Sequence, residues 1–182
     1  MLIIMLLLPF FATFSKPRKK EKIPASVRVQ VTYEKKNRES YRQDILKVLE
    51  NYLMQSECFE KILTDEEEEA DLILEARILE LNMTRDYGTS LGELSSEYGD
   101  PEAKTRLVIS CSLRMQIFVL VPGSKEALYA SRIEVDESRK KMYLAEDTER
   151  YAWRSLLSGI EREAEKQICG KKEKILKALL KK

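Results

Sequence analysis

The chain contains no histidine, and its 182 residues include only three cysteines, six glycines and five prolines. The missing imidazole excludes Ser–His and Cys–His nucleophilic pairs, His-based zinc sites and imidazole proton shuttles. Cys58, Cys111 and Cys169 stand too far apart for a C-x-x-C redox or metal pattern. An excess of one charge is also absent: 32 Lys and Arg against 31 Asp and Glu leave +1. Such a balance gives no long-range field to steer the molecule onto nucleic acid. The shortage of Gly and Pro beside abundant Lys and Glu is a composition shared with heat-adapted proteins. No catalytic, cofactor-binding or metal-binding constellation is left, and the chain reads as a non-enzyme.

What is present begins with residues 1–22. An apolar run from Leu2 to Phe14 meets a basic string of Lys16, Arg18, Lys19, Lys20 and Lys22. At about 1.5 Å per residue a helix over that run is roughly 20 Å long, short of the ~30 Å hydrocarbon core. That length suits the apolar region of a signal peptide better than a membrane span. Two features pull the other way. No Lys or Arg precedes the run, and cations following it favour a domain kept on the cytoplasmic side. Export to the periplasmic side is the expectation, with a membrane-tethered cytoplasmic domain as the alternative. Residues 23–170 then form one α+β domain, and 171–182 a basic tail.

Val27, Val29, Val31 and Tyr33 alternate with polar residues, the period of a half-buried strand. Ser40 is a candidate cap for a helix whose stripe is Ile45, Val48, Leu49, Tyr52 and Leu53. Phe59, Ile62 and Leu63 suit a short return strand. The five carboxylates of Asp65 to Glu69 cannot all face one ion and read as a solvated turn. A strand follows from Ala70, with Leu72, Leu74, Ala76 and Ile78 on one face and a bulge near Leu79 and Glu80. The clearest strand carries Leu107, Ile109, Cys111, Leu113, Met115, Ile117, Val119 and Val121 on one side, with Ser110, Ser112, Arg114 and Gln116 opposite. Pro122 to Lys125 turns it into a returning strand over 127–135. A last helix starts at Asp147 or Thr148, with Ala152, Trp153, Leu156, Leu157, Ile160, Ala164 and Ile168 as its stripe. Gly159 within that stripe suits close approach to the sheet, and Gly170 is a candidate C-terminal cap. The resulting order, β-α-β-β-β-α, predicts a two-layer sandwich with two helices on one face of a mostly antiparallel sheet.

Cys58 and Cys169 each follow a predicted helix and can pair in an oxidising compartment; otherwise both stay free. Cys111 lies on an alternating strand as a small apolar residue. The tail from Lys171 sets Ile175, Leu176, Leu179 and Leu180 among six lysines. It suits an acidic membrane surface or partner groove, or equally a terminal helix packed on its own domain. Residues 85–104 read as a polar, Gly-containing loop, long enough to be functional. Its candidate contact residues for a partner or lipid are Arg85, Tyr87, Tyr98, Lys104, Arg106 and Arg114, aromatic area beside cations that pair with phosphates.

The order of elements, with Ala70 to Leu74 opening a strand, Leu94 to Gly99 before a long hairpin, and Ala145 to Arg150 opening the last helix, resembles the lipopolysaccharide-assembly lipoproteins of the outer-membrane translocon. The likeness extends to other small envelope lipoproteins, including auxiliary subunits of transport and secretion systems. No cysteine stands at the end of the apolar run to carry a lipid. The resemblance implies a non-enzymatic envelope accessory protein on the periplasmic side, associated with the outer membrane. Its partners would be a β-barrel or other envelope protein, and lipopolysaccharide or another anionic lipid. A nucleic-acid-binding α+β domain is the reading from a different class, disfavoured by the charge balance and by the lack of paired aromatics on strand faces.

Overall fold

The computed structural model describes residues 22–33, 39–64, 68–89, 105–141 and 148–181. In chain order these form β1 (Ile23–Tyr33), α1 (Glu39–Ser56), β2 (Phe59–Leu63), β3 (Leu72–Thr89), β4 (Thr105–Leu120), β5 (Ala127–Lys141), α2 (Thr148–Gln167), a 3₁₀ turn (Cys169–Lys171) and α3 (Lys172–Leu179). The fold is α+β, a five-stranded sheet with helices packed on it. The short segment at Phe59 is a full member of the sheet, so there is one strand more than the six-element order expected. Sheet order is β2-β1-β3-β4-β5, with β1 parallel to both β2 and β3 and the rest antiparallel. The antiparallel pairings are the long ones, which is why alternation is clearest there.

The core lies between the sheet and the helices. Val27, Val29 and Val31 of β1, Leu72, Leu74, Ala76 and Ile78 of β3, and every second residue from Ile109 to Val119 of β4 are buried. The helices answer with Ile45, Leu49 and Leu53 from α1 and Ala152, Trp153, Leu156, Ile160 and Ala164 from α2. Leu79 has no partner in the ladder, and pairing resumes with Glu80 opposite Arg114. This bulge keeps Leu81 on the core side while leaving Leu79 exposed. A Cβ on Gly159 would stand 2.4 Å from Val135 Cγ1, so a side chain there would hold α2 off β5. Gly123 (φ +77°) follows Pro122, and the Ser124 N–H donates to the Val121 carbonyl, a turn of type II form between β4 and β5.

Two local expectations change, and one open alternative is decided. α1 already includes Glu39, so Ser40 sits inside its first turn; the Glu39 carboxylate accepts from Arg42 and Gln43 there, which holds its pKa below the usual range. Gly170 has no positive φ and lies in the 3₁₀ turn, because the chain runs on into α3 instead of ending. The tail packs on its own domain: Ile175 is fully buried, and Leu176 and Leu179 lie against the core. Cys58 and Cys169 form a disulfide with Cα atoms 5.5 Å apart, tying the end of α1 to the start of the α3 segment.

Candidate functional site

Among the described residues, helices cover one face of the sheet and none covers the other, the bare face. On the bare face three cations are each matched by a carboxylate. Arg77 donates to both oxygens of Glu75 (2.8 Å each), Arg114 Nη1 lies 3.0 Å from Glu80, and Arg132 Nε 2.6 Å from Glu134. The Arg77 guanidinium also covers the Phe118 ring at 4.7 Å from its centre. Among the described residues Phe118 is the one aromatic on this face. Further along β3, β4 and β5 the side chains shrink to Asn82, Thr84, Ser110, Ser112 and Ser138. With Asp136 they line a trough of about 340 Å³. This wet stripe was legible as the polar side of β4; that its neighbours in β3 and β5 are equally small was not.

The same end of the sheet is the one from which β3 and β4 run on. β1 stops at Tyr33, opposite Ile78, whereas β3 continues to Thr89. Residues 85–89 are therefore strand, paired with 105–109, and not part of a loop that begins at Arg85. Pairing with the strongly alternating β4 overrides the weak strand preference of Asp86 and Gly88. Tyr87 stands opposite Leu107 and Gly88 opposite Arg106 in the register. Tyr98 and Lys104 lie outside the described residues, as do the rest of residues 90–104.

Arg85 and Arg114 do not converge. Arg85 forms an ion pair with Glu149 in the first turn of α2, closing the helix side of the sheet. Arg114 lies mid-strand on the bare face, eight residues from Arg106, or roughly 26 Å along the strand. The expectation that both crowd the loop end is corrected by the length of the hairpin. Beside the Arg85–Glu149 pair is a cleft of about 300 Å³ lined by Tyr41, Met83, Glu149, Arg150 and Trp153. Trp153 is 9% exposed, meets Tyr41 edge-on at 4.6 Å between ring centres, and donates from Nε1 to Asp44 (2.9 Å). It is a packing residue, as its place in the helical stripe indicates.

The Cys111 thiol is buried, and burial first and the Glu149 charge second push its pKa up to about 11, which keeps it protonated and unreactive. At the opposite end of the sheet, the connection into β3 is pinned across β1. Asp71 Oδ2 accepts from the Ser26 N–H (2.8 Å) and hydroxyl (2.7 Å), and those two bonds, hydroxyl first, hold its pKa down. Arg28 donates to the Glu68 carbonyl, and Glu68 pairs with Lys61. The acidic turn thus serves, at Glu68, as structural pinning. Among the described residues no helix is long and apolar enough to cross a membrane.

No protein-family model matches the sequence, and a search of curated proteins finds no match. Similar solved structures do exist. A putative neuraminyllactose-binding hemagglutinin homolog from Helicobacter pylori is 16% identical, with TM-score 0.52 over 92% of this chain and 97% of that one. A DUF330-family protein from Xanthomonas campestris is 8% identical, with TM-score 0.50 over 86% and 92%. A minor lipoprotein from Acinetobacter baumannii is 12% identical, with TM-score 0.48 over 80% and 92%. The likeness is one of fold.

Proposed function

We propose that the chain is a non-enzymatic accessory protein of the bacterial cell envelope, exposed on the periplasmic side. It acts by binding another envelope protein, with an outer-membrane β-barrel engaged in lipopolysaccharide assembly as the partner class. The observation that carries the reading is the Cys58–Cys169 disulfide, since such bonds persist in oxidising compartments and are rare in the cytosol. Support comes from the apolar leader, from a fold seen in small bacterial lipoproteins, and from side chains suited to recognition rather than covalent chemistry. The contact element is the end of the β3–β4 hairpin with residues 90–104, where strands outrun the helices. Phosphates of lipopolysaccharide held by that partner would meet Arg106 and Lys104 there, whereas Arg85 and Arg114 are already paired within the domain.

Fractionation and thiol trapping test the compartment. The protein should be in the envelope fraction with Cys58 and Cys169 oxidised and should be cut by protease added to spheroplasts. A cytosolic protein with three reduced thiols would overturn the envelope reading. Pull-down from detergent-solubilised outer membrane tests the partner. Replacing residues 90–104 by a tight turn should abolish capture of the barrel with little loss of stability, because closure entropy changes slowly with length. Capture that survives the replacement would move the contact away from the hairpin.

A further inference from the structure

Four lysines of the C-terminal segment form no ion pair among the described residues. Residues 171–182 hold six lysines and one glutamate in a chain whose net charge is only +1, so the remainder is net acidic. Nine cations elsewhere form ion pairs, from Lys22–Glu57 to Lys166–Glu163. Among the described residues no carboxylate lies within ion-pair distance of Lys171, Lys174, Lys177 or Lys181, and all four side chains are exposed. Spacings of three, three and four place them along one side of the helix. The other side is spent: Ile175 is fully buried, and Leu176 and Leu179 are half-buried against the core. Leu180, at the edge of the lysine stripe, is 86% exposed.

Topology fixes where this stripe sits. The Ile23 N–H donates to the Cys58 carbonyl, and Cys58 is bonded to Cys169 at the start of the α3 segment. The segment leading into α3 is thus tied to the end of the sheet where β1 begins, while α3 itself packs on β5. Because β3 runs parallel to β1, this is also the end where β3 starts, roughly 50 Å along the strand from Tyr87. The chain preceding Lys22, with its basic string and apolar run, joins the domain at that same end. We infer that this end faces an anionic lipid bilayer, with Lys171, Lys174, Lys177 and Lys181 docking the domain on the headgroups and Leu180 contributing an apolar contact. With the apolar side of α3 held in the core, the helix rests on the bilayer by charge instead of inserting. Docking is accordingly weak and salt-labile. The surface is distinct from the hairpin end proposed for the partner protein and does not depend on that assignment.

The test uses the full chain and two kinds of vesicle, phosphatidylcholine alone and phosphatidylcholine mixed equally with phosphatidylglycerol. Co-sedimentation should favour the anionic vesicles at low salt, and the ratio of the two affinities should fall about 5-fold per lysine neutralised. K174Q/K177Q/K181Q should therefore lower it on the order of 100-fold, with the circular dichroism spectrum and thermal midpoint unchanged. Because the leader can bind either vesicle, a second readout is trypsin cleavage after Lys174, Lys177 and Lys181. It should slow on anionic and not on neutral vesicles, and recover at high salt. Equal cleavage on both vesicle types overturns the proposal. So does a binding ratio unchanged in the triple variant but lost in K19Q/K20Q. A triple variant that binds vesicles normally yet loses an acidic protein partner would reassign the stripe to a protein surface.

Discussion

The two ends of the sheet are held by different means. At the end where β1 and β3 begin, the domain is tied by a covalent bond and a group of hydrogen bonds. These are the disulfide spanning 111 residues, the Ile23–Cys58 backbone bond, and the three Ser26–Asp71 bonds across 45 residues. At the other end β1 has stopped, and β3, β4 and β5 continue with their ladders, the Arg85–Glu149 pair and the Trp153–Asp44 bond. The first end is covalently cross-linked as a base, and the second is a projecting hairpin held by its ladders, an ion pair and a side-chain bond. A molecule built this way can let a partner remodel the projecting end without loosening the base.

The sharpest way to break the comparison is to cut the base. Cys58→Ser opens a closed loop of 111 residues, and the chain-entropy account puts the loss at about 4–5 kcal/mol. Denaturant titration of oxidised wild type and variant should show this as a large drop in midpoint. A loss below about 1 kcal/mol would mean that the base is held by packing and the bond is incidental. Next come the strands that connect the two ends. Leu113→Ala or Ile117→Ala removes a fully buried side chain and should cost about 2–5 kcal/mol, whereas Arg114→Ala, between them on the bare face, should cost less than about 1 kcal/mol. Equal losses at Leu113 and Arg114 would refute a one-sided sheet.

Much of this was legible in the sequence, for identifiable reasons. β4 reads cleanly because one face is buried along its whole length, so period two is enforced at each position. The Leu79 bulge shows as a phase slip in β3, and Gly159 as a gap in an apolar stripe. Parallel pairing of β1 with both β2 and β3 was not legible, because short apolar segments carry no record of their neighbours. The extent of the hairpin was hidden for a related reason: the strand character of residues 85–89 is conferred by their partners at 105–109. Of the candidate contact residues, Arg85 and Arg114 were chosen for charge, and nothing local reveals that Glu149 and Glu80 come to meet them. The side chosen by the tail could not be read either, since its leucines suit a membrane and a core equally well.

A middle-sized effect sharpens the contact between α2 and β5. Gly159→Ala gains helix propensity of about 1 kcal/mol but sets its Cβ against the stiff Val135 side chain. Overpacking costs about 1–3 kcal/mol, so the net change should be a modest destabilisation. Val135→Ala makes room, and in the double variant the Gly159→Ala step should become neutral or stabilising. A thermodynamic cycle on urea midpoints measures this coupling. Additive single effects would show that α2 shifts freely along the strand.

The smallest effect concerns pH and belongs to the base alone. Asp71 accepts two bonds from Ser26, and its folded pKa is held below the ordinary value of 3.8. A carboxylate with a depressed folded pKa contributes stability that is fully present above the unfolded value and is lost as pH falls through the folded one. Wild type should therefore lose part of its stability between about pH 4 and the folded pKa, as the proton displaces the Ser26 bonds. Asp71→Asn cannot ionise, so it should start lower at pH 6 and fall less steeply in acid, the two curves of urea midpoint against pH converging. Ser26→Ala should move the wild-type curve toward that of the Asn variant by removing the hydroxyl bond and leaving the backbone one. Because Asp71 is exposed, solvent screens the interaction, and the change should be smaller than any of those above. Parallel curves for wild type and Asp71→Asn would take Asp71 out of the base and leave the disulfide and the Ile23–Cys58 bond as its ties.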